Sequence, residues 1–367
     1  MNVKLENSHT VLVSYTAEKF HELVLCLKKA LQKRKIRIRD NPPHFVDVLS
    51  LATERDKNIV NVSLRSEAFL EKDVSLWLKA LQAPVEEVSK SGEVEVTCIL
   101  PSDTILKSFK GPKYGVKGLR DLAGTQTSLR PHLSLSPLMR VKRDLENTLE
   151  IIYDLMICGF DYYIDPIPGL NLKKMEAIIN ILKDVGKTVG RYCIYFVNLA
   201  EEEDLFESLD RAIESGVNGL ILPFSNPNII SISEDPTINL PILLKYEPIY
   251  PNFLLSSHST MLLAFLAGGD LLYHPNYSIS SMREVCSNNE LKDPLNFTSI
   301  NRNNFPMPVL SIFSFTPFDA REIASLHCDI TLNFVYDLHS QYEVLRNLTH
   351  LIASQRLSLL GDGEVYR

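Results

Sequence analysis

With 367 residues, 45% of them hydrophobic and 8% aromatic, the chain has material for a sizeable core. At about 150 residues per domain it fits two domains, or one barrel with an appendage. Its 45 acidic and 38 basic residues leave a net charge of -7, and the longest basic run is the short KRKIRIR of Lys33 to Arg39. That balance argues against nucleic acid as a main partner, and the run reads as a solvated helix end leading into a strand. The six cysteines, Cys26, Cys98, Cys158, Cys193, Cys286 and Cys328, never form a C-x-x-C pair, so zinc-knuckle and dithiol chemistry lack support and reduced thiols in a cytoplasmic protein are expected. The longest apolar stretch, Met261 to Ala267, falls far short of the ~18 residues of a membrane span, and no membrane role is expected.

The first hundred residues alternate β-rich and amphipathic segments. HTVLVSY begins at His9, followed by the helix-period EKFHELVLCLKKALQK, then NIVNVSLRS, the helix DVSLWLKALQ, and the strand EVEVTCIL. HFVDVLSLATERD can supply a further strand, and the order predicts a small ferredoxin-like α+β domain over residues 1–106. Trp77, on the second helix, reads as a core or interface anchor.

Beyond Pro131 the rhythm becomes strand then helix, repeating about every 30 residues, as in βα units. Eight candidate strands follow in order: HLSLSP, DYYID, RYCIYF, GLILPF, LPILLKYE, DLLYHPNY, PVLSIFS and ITLNFVYD. Eight such units in about 240 residues match a (β/α)8 TIM barrel, here residues 107–367. A doubly wound sheet is the alternative, but no G-x-G-x-x-G or P-loop follows the first strand.

The junction FKGPKYGVKGLRDLAG leading into RPHLSLSP resembles the approach to the barrel in the RuBisCO large-chain superfamily, with Gly111, Pro112, Gly115, Arg120, Arg130 and Pro131 at matching spacing. LAGGDLLYHPNY (Leu266 to Tyr277), FPMPVLSIFSFTPFDAREI and DITLNFVYDLHSQ are similar to the family's sixth, seventh and eighth strand regions. The chain is therefore identified as a RuBisCO-like protein. The resemblance implies enolisation beside a carbonyl, Mg²⁺ stabilising the enediolate, lysines moving protons, and a homodimer whose sites borrow the partner's N-terminal domain.

Set against that chemistry, the chain departs from the family at most positions. The second-strand K-D-D-E becomes Ile164, Asp165, Pro166 and Ile167, and the K-P-K after the first strand becomes Ser136, Pro137 and Leu138. Of the phosphate loops S-G-G and G-G-G only Ser311 remains, beside Ile312 and Phe313, while Val335, Tyr336 and Asp337 replace the second loop. No Gly-Asn pair stands near Leu81 to Glu86. One carboxylate does not make a hard-cation cage.

These losses lead to the expectation of a catalytically silent binding or regulatory protein with a protein partner, without cofactor or metal. The competing expectation is a metal-independent isomerase, tautomerase or lyase acting on a small, sugar-like substrate in a rebuilt barrel mouth. Its candidate catalytic residues are Arg140, Lys142, Asp165, Lys245, His274 and Asp337, with Ser311 for substrate. Each also has a plainer reading: helix caps for Asp165 and Asp337, a hydrogen-bonded histidine at His274, a solvated amine at Lys245. A mouth plugged by Phe313 and Tyr336 would remove the enzyme reading.

Overall fold

A computed structural model describes residues 10–36, 47–125, 132–136, 149–281, 306–312, 322–323, 330–334 and 354, a few isolated positions excepted. Strands β1 (Thr10–Ala17), β2 (Asp47–Glu54), β3 (Lys57–Arg65) and β4 (Val94–Pro101) build a small sheet with helices α1 (Phe20–Ile36) and α2 (Val74–Gln82). With β10 (Phe253–Leu255) added from the second half of the chain, its strand order is β10-β4-β1-β3-β2. β1 lies between β3 and β4, antiparallel to both, and β2 extends the sheet antiparallel to β3. This is the expected ferredoxin-like βαββαβ unit, with the optional strand realised as β2. Asp73 caps α2 by accepting from Ser75 N and Leu76 N, and the helix turns Trp77, Leu78 and Leu81 into the core. Trp77 lies fully buried between Phe69 and Phe109 and donates to the Glu71 carbonyl, so it is a core anchor.

All eight predicted barrel strands form: β5 (His132–Leu135), β6 (Tyr162–Ile164), β7 (Ile194–Asn198), β8 (Gly219–Pro223), β9 (Ile242–Lys245), β11 (Leu271–Tyr273), β12 (Met307–Ile312) and β13 (Thr331–Phe334). They close a parallel barrel in which β13 pairs with β5. Between them lie α4 (Leu172–Val189), α5 (Leu205–Glu214), α6 (Ile229–Glu234) and α7 (Ser257–Ala267), with α3 (Gly115–Leu122) before the first barrel strand. Side-chain oxygens of Asn171, Asp204 and Ser256 cap α4, α5 and α7, which is the reason these helices start where they do. The barrel also contributes β10 (Phe253–Leu255), which pairs in parallel with β4 and ties the two sheets together.

Because side chains alternate along a strand, the barrel sorts them into two groups. Leu133, Tyr163, Tyr195, Val197, Leu220, Leu222, Leu244, Leu272, Leu310 and Leu332 join the large core outside the barrel, beneath the helices. Tyr162, Ile164, Ile194, Phe196, Ile221, Leu243, Leu271, Met307 and Val309 fill the lumen, closed below by Leu119 of α3.

Two motifs far apart in sequence meet at that closure. The Asp270 carboxylate accepts from the backbone N–H groups of Tyr114 (2.7 Å), Gly115 (2.9 Å) and Ile242 (2.9 Å), binding the G-P-K-Y-G segment to the L-A-G-G-D segment. Gly111 has φ 71°, and a Cβ there would lie 2.9 Å from the Phe265 ring. Gly268 ends α7 with φ 82°, where a Cβ would overlap Ser233 at 2.3 Å. Both positions therefore require glycine.

Candidate active site at the barrel mouth

The lumen becomes polar toward the C-terminal ends of the strands, the face where barrel enzymes place their chemistry. On the first, eighth and seventh barrel strands, Ser134, Asn333 and Ser311 stand side by side in register. Asn333 Oδ1 accepts from Ser134 Oγ at 3.0 Å and from Ser136 Oγ at 3.2 Å. Ser134 and Asn333 are buried. The Ser311 hydroxyl is also buried and has no hydrogen-bond partner, a state that costs about 1–3 kcal/mol until something accepts from it.

Across the barrel, on the fifth strand, Lys245 shares the inward parity of Leu243 and has Pro223 and Tyr273 as register neighbours. Its ammonium pairs with Glu247 Oε1 at 2.8 Å. Its backbone is held on both sides, its carbonyl accepting from Phe224 N and the next N–H, that of Tyr246, donating to Tyr273 O, each at 2.8 Å.

Two predicted site residues lie elsewhere. Asp165 is one residue past the inward Ile164 and so points out of the lumen. It pairs with Lys174 of α4 at 2.8 Å, accepts from Tyr195 OH at 3.0 Å, and closes a short turn by accepting from Ile167 N at 3.2 Å. The cap of α4 is Asn171, not Asp165. Burial and the neighbouring Asp165 carboxylate push the Tyr195 phenol far up, so it stays protonated as a donor. His274 also faces outward, stacked between Tyr246 (4.4 Å) and Tyr277 (4.9 Å). Burial lowers it to about 4, which keeps it a neutral packing residue. Both are removed from the barrel-mouth set. Arg140, Lys142 and Asp337 lie outside the described residues, as do Phe313 and Tyr336, so the plug expected of the last two falls there too.

Sequence reasoning missed Ser134, Ser136 and Asn333 as a group, together with Lys174 and Tyr195 as the partners of Asp165. The signal was present in HLSLSP, whose serines alternate with leucines, and in the lone Asn of ITLNF. It also missed His132 at the lumen floor, whose ring nitrogens contact the Tyr162 hydroxyl and, at 3.0 Å, Thr125 Oγ1.

At the positions where the resemblance implies Mg²⁺, the side chains are poor ligands. Ile164 turns an apolar side chain into the lumen, Ile167 is 53% exposed, and Asp165 is engaged by Lys174. Among the described residues no three His, Cys, Asp or Glu side chains converge as metal ligands. The described residues do not fit the cage.

No protein-family model matches the sequence. The RuBisCO of Pyrococcus horikoshii, crystallised as an octamer with sulfate, superposes with a TM-score of 0.73 at 14% identity, over 98% of this chain and 95% of that one. In sequence, a ribulose bisphosphate carboxylase-like protein of Archaeoglobus fulgidus is 28% identical over 188 residues, 46% of this chain and 42% of the relative. A 2,3-diketo-5-methylthiopentyl-1-phosphate enolase of Bacillus mycoides is 28% identical over 168 residues, 43% of this chain and 40% of the relative. The matches thus span about two-fifths of the length of these curated relatives. The fold is that of the RuBisCO large-chain superfamily, a ferredoxin-like domain followed by a (β/α)8 barrel. In sequence the chain is similar to RuBisCO-like proteins over less than half of its length.

Two expectations are corrected by these relatives. A silent binding protein is not supported, because RuBisCO-like relatives include a named enolase. The expectation that no cofactor is needed falls with it, since enolisation is the reaction for which the resemblance implies Mg²⁺.

Proposed function

We propose that this protein is an enzyme of the enolase kind that acts at its barrel mouth on a small phosphorylated carbonyl compound. The observation that carries this reading is the polar arc of Ser134, Ser136, Asn333 and Ser311 above an apolar lumen, with the Ser311 hydroxyl buried and unsatisfied. In barrel enzymes the region above the seventh and eighth strands commonly receives phosphate. Hydroxyl and amide donors there fit the oxygen-rich end of such a substrate. The relative named for enolising a diketone phosphate supports the reaction class and supplies the first compound to test. Self-association, with a homodimer as the basic unit, belongs to the same proposal and is supported by the octameric state of the Pyrococcus enzyme.

The test is a direct assay with 2,3-diketo-5-methylthiopentyl-1-phosphate, following the enol by ultraviolet absorbance with and without Mg²⁺. Saturable turnover is expected, with Ser311→Ala and Asn333→Leu raising KM several-fold. Absence of both turnover and calorimetric binding overturns the proposal.

A further inference from the structure

At the mouth of the barrel Lys245, inward by strand parity, pairs with Glu247, and their contact suits proton transfer. On the enolase reading, side chains at the mouth must move the proton. Asp165 is withdrawn, because it points to α4 and is neutralised by Lys174. His274 is withdrawn, because it is locked between two tyrosine rings outside the lumen. Lys245 remains, on the fifth strand, with Glu247 two residues beyond it and in contact at 2.8 Å.

The strand order places Lys245 diametrically opposite Ser134, three strands from Asn333 and two from Ser311. Around the closed barrel the sequence is β5, β6, β7, β8, β9, β11, β12, β13, so β9 is four strands from β5 in either direction. A substrate held by its oxygen-rich end on β12, β13 and β5 extends across the lumen toward β9. There the floor is apolar, formed by Leu243, Leu271 and Ile221. An ammonium over such a floor faces little competing solvent from below, which strengthens its action on a developing enolate oxygen. Lys245 is also held rigidly by ladder bonds on both sides, while its side chain and that of Glu247 stay 36% and 61% exposed. The pair is therefore open to substrate and not sealed in the wall.

We propose that Lys245 and Glu247 form the acid–base pair of the enolisation. The Glu247 carboxylate takes the proton from the carbon beside the carbonyl. The C–H electron pair becomes the new C=C bond, and the carbonyl π pair moves to oxygen. The Lys245 ammonium gives one proton to that oxygen, releasing the enol. This leaves a protonated Glu247 and a neutral Lys245 amine, and the proton passes from carboxyl to amine across their 2.8 Å contact. Both groups are restored, and no oxidant or reductant is required.

The experiment measures solvent deuterium incorporation at the carbon beside the carbonyl of 2,3-diketo-5-methylthiopentyl-1-phosphate, together with kcat, KM and the pH–rate profile. It compares wild type, Lys245→Met and Glu247→Gln. Each substitution is expected to lower kcat by about 10²-fold or more, the usual range for a lost general acid or base, with KM changed less than threefold. Melting temperatures serve as the control for folding, since an exposed pair contributes little stability. Exchange in both variants within threefold of wild type overturns the assignment while leaving the enolase reading intact. No exchange by wild type overturns the enolase reading itself.

Discussion

Replacing Asp270 by asparagine tests how the two family-like motifs are joined. Burial pushes this carboxyl up to about 6, against an ordinary value near 3.8, while three N–H donors pull the other way. A raised folded pKa means that the folded state binds the proton more tightly than the unfolded one. Stability from this group is therefore fully present below about 4 and is lost as pH rises through 6. At 1.36 kcal/mol for each pH unit between the two values, the contribution is about 3 kcal/mol. Asparagine keeps one oxygen for Tyr114 and Gly115 but turns an amide N–H toward Ile242 N, a pH-independent loss of about 1–3 kcal/mol. His274 titrates with the opposite sign: burial lowers it to about 4 from 6.5, so its contribution, also about 3 kcal/mol, is present above 6.5 and lost as pH falls through 4. The wild-type curve alone mixes the two, and the difference between wild type and Asp270→Asn isolates Asp270. Urea unfolding at pH 4 to 7.5 should show that difference growing toward acid by up to about 3 kcal/mol. A difference that is flat or shrinks toward acid refutes the reasoning and shows that the N–H donors outweigh burial.

Further outcomes follow from other contacts. His274→Phe keeps the ring stack with Tyr246 and Tyr277 and should remove acid-induced destabilisation between pH 6.5 and 4, read as a melting temperature that falls less on acidification than that of wild type. Lys174→Met strands the buried Asp165 carboxylate and should cost about 1–3 kcal/mol in urea unfolding, with part of it recovered by adding Asp165→Asn. Gly268→Ala forces a side chain into φ 82° and against Ser233. It should cost at least about 1 kcal/mol, and a neutral result would mean that the end of α7 adjusts freely.

The strands were legible because a parallel sheet covered on both faces writes continuous apolar runs, such as GLILPF and LPILLKYE. The junction and L-A-G-G-D motifs were legible as a resemblance. Strand parity was not legible from strand ends alone. A one-residue step separates inward Ile164 from outward Asp165, and outward His274 from inward Tyr273, so an ionisable residue at such a step reads in sequence as a site group while its side chain leaves the lumen. The partners Lys174 and Tyr195, and the meeting of Tyr114 with Asp270 across 156 residues, arise from closure of the barrel, which no local pattern reports. The lost family residues speak only of the family's own positions, whereas the polar side chains of Ser134, Asn333 and Ser311 on the strands themselves furnish the mouth, a feature visible only once strand parity is known.

The most direct test of the account is deuterium wash-in at the carbon beside the carbonyl of 2,3-diketo-5-methylthiopentyl-1-phosphate, read by NMR with wild-type protein in D2O, with and without Mg²⁺. Enzyme-dependent exchange that saturates with substrate and weakens in Ser311→Ala is the predicted result. Exchange no faster than in buffer under both conditions, with no binding of the compound, contradicts the claim that this barrel mouth enolises a phosphorylated carbonyl compound.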